Sequence, residues 1–209
     1  MHIALLVIVV AGVLGGRLQI SAAGSSHRFP NATFTVAAIV AAMFAVQYAI
    51  PSLLPLLARE PSMWHSVQLW RALSALFVQD SGLAGALFNL ATLLILGSVA
   101  EKRLGSATWL AVYFGGGIIT EFLALAWQPY GAGNSIACFA LAGGLTLYAI
   151  ERDMSIAQLC LCIVSLGAAA ALLLVRDIHG LAYGTGIACA FAARRLHEWR
   201  PVPFSVRSH

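Results

Sequence analysis

Two polar side chains in this sequence stand where so apolar a chain has little room for them. Ser135 follows Gly131-Ala132-Gly133-Asn134 and opens the apolar run 135–150, and His179 stands at the head of the last apolar run, 180–193. A serine hydroxyl becomes a nucleophile when a neighbouring base takes its proton. An ordinary imidazole, titrating at about 6.5, can take that proton and return it to a leaving group. Each residue has a plainer reading, since serine is common at helix N-caps and at small-residue helix contacts, and a lone histidine at a helix start needs no chemical role. Placed at the heads of two apolar runs, the two together suggest a Ser/His pair working inside a bilayer.

The elements that must position this pair are membrane helices. Sixty per cent of the 209 residues are hydrophobic and 10% are charged, with mean hydropathy +0.87, whereas soluble domains carry roughly 25% charged residues. The composition predicts an all-α, polytopic membrane helical bundle. Runs at 34–57, 83–100, 107–127, 135–150, 154–175 and 178–193 approach the roughly 20 residues that a crossing needs, giving a six-span core. The fourth and sixth are short, which is tolerable where other helices shield their ends or the ends meet water. A seventh run, 3–14, is followed by Gly15-Gly16-Arg17 and lacks the basic start and small-residue end of a secretory signal. It reads as an extra short helix or a membrane-surface segment. The chain divides into an apolar segment and cytoplasmic linker (1–33), a membrane domain (34–195) and a cytoplasmic tail (196–209).

Charge placement orients the bundle. Arg17, Arg28, Lys102, Arg103, Arg152, Arg194, Arg195, Arg200 and Arg207 fall on one side of the six-span core and only Arg59, Arg71 and Arg176 on the other. The basic side is cytoplasmic, so Ser135 and His179 both enter their spans from the extracytoplasmic face. Eleven arginines against one lysine suit a GC-rich bacterial genome, and the inner membrane of a bacterium is the expected location. The net charge of +4 is gathered at segment ends and does not point to nucleic acid. Cys138, Cys160, Cys162 and Cys189 all lie within apolar runs and read as packing residues, with no metal or cofactor expected. Glu121, inside the third span, is expected to hold structure. Asp177 is not expected to complete a triad, because residues so close at a loop-to-helix turn point in different directions.

Trp70-Arg71, Phe88-Asn89 and the stretch from Val99-Ala100-Glu101 to Gly105-Ser106 come in order before Gly133-Asn134-Ser135. Ala137, Phe139, Leu141 and Gly143 follow, and His179 is trailed by Ala182, Gly184 and Gly186. In this order, over roughly residues 60 to 195, the chain resembles the rhomboid intramembrane serine proteases. The resemblance implies a dyad of Ser135 as nucleophile and His179 as base, with no acidic third member. It also implies an oxyanion held by Asn89 and by the backbone N–H of Ser135. Gly133 and Asn134 are candidate supports of the site, and Phe139, one turn after Ser135, is a third, placed to pack on the imidazole and fix its orientation. Ala137, Ala140, Gly143 and Gly144, facing Ala182 and Gly186, would let oxygen and nitrogen come within about 3 Å. Two positions depart from the family pattern: Ile136 stands where glycine is usual and Gly85 where histidine is usual. Asn134, or a water over Gly85, is a candidate to replace the missing donor.

The expected function is that of a serine endopeptidase cleaving transmembrane or membrane-edge segments of other membrane proteins. Its partners would be that protein substrate and the bilayer, with no nucleic acid. The alternative is a proteolytically inactive relative that binds membrane clients, favoured by Ile136 and Gly85 and opposed by the presence of both Ser135 and His179. A solute channel or transporter finds no paired broken helices to support it.

Overall fold

A computed structural model describes residues 2–23, 29–150 and 154–198. The main helices are α1 (His2–Ala23), α2 (Asn31–Ala49), α3 (Gly82–Leu104), α4 (Ser106–Ala124), α5 (Ser135–Ile150), α6 (Ile156–Leu174) and α7 (Ile178–Glu198). Of these, α2, α3, α4 and α6 are each long and apolar enough to cross a membrane. Large apolar side chains such as Ile39 and Tyr48 on α2, and Ile156, Ile163 and Leu174 on α6, point outward, where lipid is their natural solvent.

Three boundaries differ from the sequence reading. The run 34–57 is not one helix: α2 stops at Ala49, and a separate short helix, Leu53–Leu57, follows. Pro51 causes the break, since a residue before proline is pushed out of the α region, and Ile50 sits at φ −129°, ψ 82°. The first run does not stop at Gly15-Gly16. It continues as a 22-residue helix packed against α3, α5 and α6, so α1 is built into the bundle. Gly12 and Gly16 face Leu96 and Val99 of α3; these glycines mark a helix contact and not a terminus. At the other end α7 runs beyond Ala193 to Glu198 and carries Arg194 and Arg195 within it. The tail from 199 onward lies outside the described residues.

At the centre is α5. Its 16 residues span only about 24 Å at 1.5 Å per residue, short of the roughly 30 Å of a hydrocarbon core. It tolerates this because α1, α3, α4, α6 and α7 all pack around it and nearly every side chain from Ile136 to Thr146 is buried. Its closest partner is α7. A Cβ on Gly143 would run into the Tyr183 carbonyl, and one on Gly186 into the Ala140 carbonyl, so the two backbones touch at both places. Hydroxyls near this contact are satisfied across helices: Thr120 with Thr185 at 2.7 Å, and Tyr183 with Thr146 at 2.5 Å and with Ser165 at 3.0 Å. At the opposite end from Ser135, the Glu101 carboxylate accepts from Ala32 N and Thr33 N at 3.0 and 2.7 Å and from the Ser106 hydroxyl at 2.7 Å. It caps the start of α2.

The segment between α2 and α3 is a folded strap. Buried Arg71 donates to the carbonyls of Pro55 and Ala58, both at 2.9 Å, and to Gln68 Oε1 at 2.6 Å. Arg59, 1% exposed, forms an ion pair with Glu121 of α4, which is fully buried. The same guanidinium donates to the Gln128 carbonyl from Nη2 at 2.8 Å and from Nε at 3.1 Å.

Two outcomes follow for stability, read by equilibrium unfolding in detergent. Gly143→Ala and Gly186→Ala should each cost about 1–3 kcal/mol by overpacking a backbone contact, whereas Gly184→Ala, with open space around it, should be silent. Equal losses at all three positions would mean that the contact is not what these glycines serve. Glu121→Ala should cost about 3–5 kcal/mol by stranding Arg59, and pairing Arg59→Met with Glu121→Leu should restore most of that loss.

Candidate active site

Ser135 is the first residue of α5, and the four residues before it are each fixed from the strap. Gly131 makes an isolated antiparallel bridge with Arg59, with N to O distances of 2.9 and 3.3 Å. Ala132 N donates to Asp80 Oδ2 at 2.8 Å. Gly133 N donates to the Ala75 carbonyl at 2.9 Å, and its φ of +145° is one that only glycine holds without strain. Asn134 Oδ1 accepts from Gln79 Nε2 at 2.9 Å. The serine is thereby presented from an anchored turn.

His179 reaches Ser135 from α7, with Nε2 3.0 Å from the serine Oγ. The turn that places it begins at the end of α6. Arg176 adopts a left-handed φ of +56°, its N–H donates to the Leu173 carbonyl, and Asp177 N donates to the Leu172 carbonyl. This is the paired hydrogen-bond pattern of a Schellman motif. It leaves Asp177 as the residue just before α7, and its carboxylate folds back over the first turn as an N-cap does. Asp177 Oδ1 accepts from His179 N at 2.8 Å and lies 2.7 Å from His179 Nδ1.

The expectation that Asp177 would point away from His179 is therefore corrected. Capping brings a side chain toward the residue two positions on, and here that residue carries the imidazole. Phe139 stands on the other side of the ring, edge to face, with centroids 4.8 Å apart and planes at 64°. Asp177 is the acidic group of the pair and accepts only, so Nδ1 holds the ring proton and Nε2 is left as acceptor toward Ser135. Burial works to raise the Asp177 carboxyl, but the hydrogen bonds it accepts from the His179 ring and backbone N–H outweigh burial and hold it below the usual carboxylate range.

Asn89 Nδ2 donates to Gln79 Oε1 at 2.9 Å, which leaves its second amide hydrogen uncommitted by that bond. Both Asn89 Nδ2 and Ser135 Oγ lie 3.6 Å from the point that a Cβ on Gly133 would occupy, so they border one small space. Asn134 does not join them. Its side chain is fully buried, is held by Gln79 and directs its amide to the Asn89 carbonyl and Cys138 Sγ. It is not positioned to replace a missing donor. Nor is there an open gap for water directly over Gly85, because the Ser81 side chain fills the room a Cβ there would need. Gln79 escaped the sequence reading; its backbone exchanges hydrogen bonds with the buried amide of Gln47 at 2.6 and 2.8 Å. An amide inside an apolar run was the available sign that such a partner existed.

A cavity of about 310 Å³ opens over these groups, bordered by the polar residues Arg59, Asp80, Ser81, Asn89, Ser135 and His179 and by the apolar residues Phe88, Ile136, Phe139 and Ile178. Leu5 of α1 also reaches it. Among the described residues no cluster of three or more His, Cys, Asp or Glu is placed to hold a metal ion. The arrangement can bind an extended apolar segment with a polar backbone and present one carbonyl of it to a hydroxyl and a base.

Comparison with known families matches residues 66–193 to the Rhomboid domain. No curated protein and no solved structure matches the chain. The matched span contains Asn89, Ser135 and His179 and covers more than half of the sequence. With its long apolar helices, the chain is an integral membrane protein and belongs to the rhomboid family.

Proposed function

We propose that this chain is an intramembrane serine endopeptidase that cleaves a transmembrane or membrane-edge segment of another membrane protein. The observation that carries the reading is the 3.0 Å contact between Ser135 Oγ and His179 Nε2 in the lining of a cavity that carries both polar and apolar side chains. His179 takes the serine proton as Oγ attacks the scissile carbonyl, and then gives it to the departing amine. Water, activated by the same ring, releases the acyl group. The developing oxyanion is received by the backbone N–H of Ser135 and the free amide hydrogen of Asn89. Gly85 leaves this site one side-chain donor short of the family pattern and Ile136 adds bulk beside the serine where glycine is usual, which makes for a slower enzyme. An inactive, client-binding relative is the second reading, and the same two positions favour it.

A substrate helix hides its carbonyls in its own hydrogen bonds, so cleavage requires local unwinding, which glycine or proline near the scissile bond eases. The bias of basic residues supports an orientation with the Ser135 end of the bundle on the extracytoplasmic side, and the arginine-rich, lysine-poor composition supports a bacterial inner membrane as the location. Arg28, Arg152, Arg200 and Arg207, which contribute to that bias, lie outside the described residues.

Labelling of detergent-solubilised protein by a fluorophosphonate probe tests the reading. Wild type should label, Ser135→Ala and His179→Ala should not, and a folded wild type that stays unlabelled would favour the client-binding alternative. With a transmembrane reporter substrate, Asn89→Ala should lower kcat by about 10²–10³, and undiminished turnover would remove Asn89 from the oxyanion site.

A further inference from the structure

We infer that Asp177 is a positioning residue for His179, so that the site works as a Ser–His–Asp set whose Asp–His half is assembled within the first turn of α7. The inference rests on the catalytic reading of Ser135 and His179 and goes beyond it.

One carboxylate oxygen, Asp177 Oδ1, meets both the backbone N–H of His179 at 2.8 Å and its ring Nδ1 at 2.7 Å. Two bonds from one oxygen to one residue fix the ring about both of its side-chain torsions. Asp177 is 5% exposed and the His179 side chain 19%, so water competes weakly for this contact. The ring is then confined on three sides: Asp177 behind Nδ1, Phe139 on an edge, and Ser135 in front of Nε2. The carboxylate does two things for the reaction. It holds the tautomer in which Nε2 can accept a proton, and it stabilises the imidazolium formed when the serine proton arrives. No proton passes to Asp177 itself. In the resting state the proton is on Ser135 Oγ; in the acyl-forming step it is on His179 Nε2; it leaves with the amine product.

Other groups near the ring do not take this role. Arg59 and Asp80 border the same cavity from the strap, and the largely exposed Tyr130 from the loop before α5, but the two charged groups each have their own fixed place. Arg59 holds Glu121 and the Gln128 carbonyl, and Asp80 holds Ala132 N.

The test compares wild type with Asp177→Asn and Asp177→Ser. Both replacements keep a side-chain oxygen able to cap α7, so the helix start is retained, and thermal unfolding in detergent checks that it is. Fluorophosphonate labelling rates are measured against pH, and ¹⁵N-histidine spectra, assigned with His179→Ala, report which ring nitrogen carries the proton. The expected result is a labelling rate lower by about 10²–10⁴ in both variants. In wild type Nδ1 should be the protonated nitrogen, and in Asp177→Asn that preference should be lost. A labelled wild type with equal rates and an unchanged Nδ1 preference in the variants would overturn the role of Asp177. A wild type that never labels while its Nδ1 proton is seen would overturn the catalytic reading instead, and this role in catalysis with it.

Discussion

The site depends on how closely α5 and α7 approach. Their contact is backbone on backbone at Gly143 and Gly186, and no side chain larger than hydrogen fits at either point. Inside a bilayer this packing has little hydrophobic drive, since lipid is as apolar as the helix surface, and close approach with satisfied hydroxyls takes its place. The consequence at the ends of these helices is a serine and a histidine at hydrogen-bond distance, though they are 44 residues apart in sequence. A Cβ between the helices would displace one relative to the other by an amount that proton transfer does not tolerate.

A second constraint acts from the side of the strap. Residues 131–134 would be an ordinary loop if left to themselves. Arg59, Asp80, Ala75 and Gln79 each hold one of them, and Arg59 is itself anchored by Glu121 on α4. A buried ion pair is a poor source of net stability, because desolvation consumes much of the attraction. Its value here is geometric: it ties the strap, the third-span helix and the approach to α5 into one unit, so that the serine is presented in a single orientation.

Much of this was legible in the sequence. Composition and run length gave membrane helices, and the head positions of Ser135 and His179 gave a site at one end of the bundle. Phe139 was expected against the imidazole and is found there. What was not legible concerns partners that only the fold brings together. The burial of Gln79 and the inward turn of Asn134 depend on a strap whose path has no periodicity to read. The extension of α1 past Gly15-Gly16 was hidden because glycine reads as a breaker, while in a membrane bundle it equally marks a close helix contact. The stop at Pro51 was readable from proline chemistry, but the apolar run across it was taken as one span.

The Asp177 contact shows a different kind of failure, since the two residues are neighbours and the relevant rule is local. Orientation was judged from sequence separation alone, as if the turn had no specific form. Its form follows from two linked motifs. The left-handed residue at Arg176 ends α6 and turns the chain, and the next residue must then cap α7. An aspartate in that place directs its oxygen to the N–H two residues on, and a side chain on that residue lies beside the same oxygen. A left-handed conformation costs a non-glycine residue about 1–2 kcal/mol, which the hydrogen bonds of the turn offset. The same carboxylate thus answers a need that every helix start has, an acceptor for unpaired N–H groups, and one that only this helix start has, a fixed imidazole.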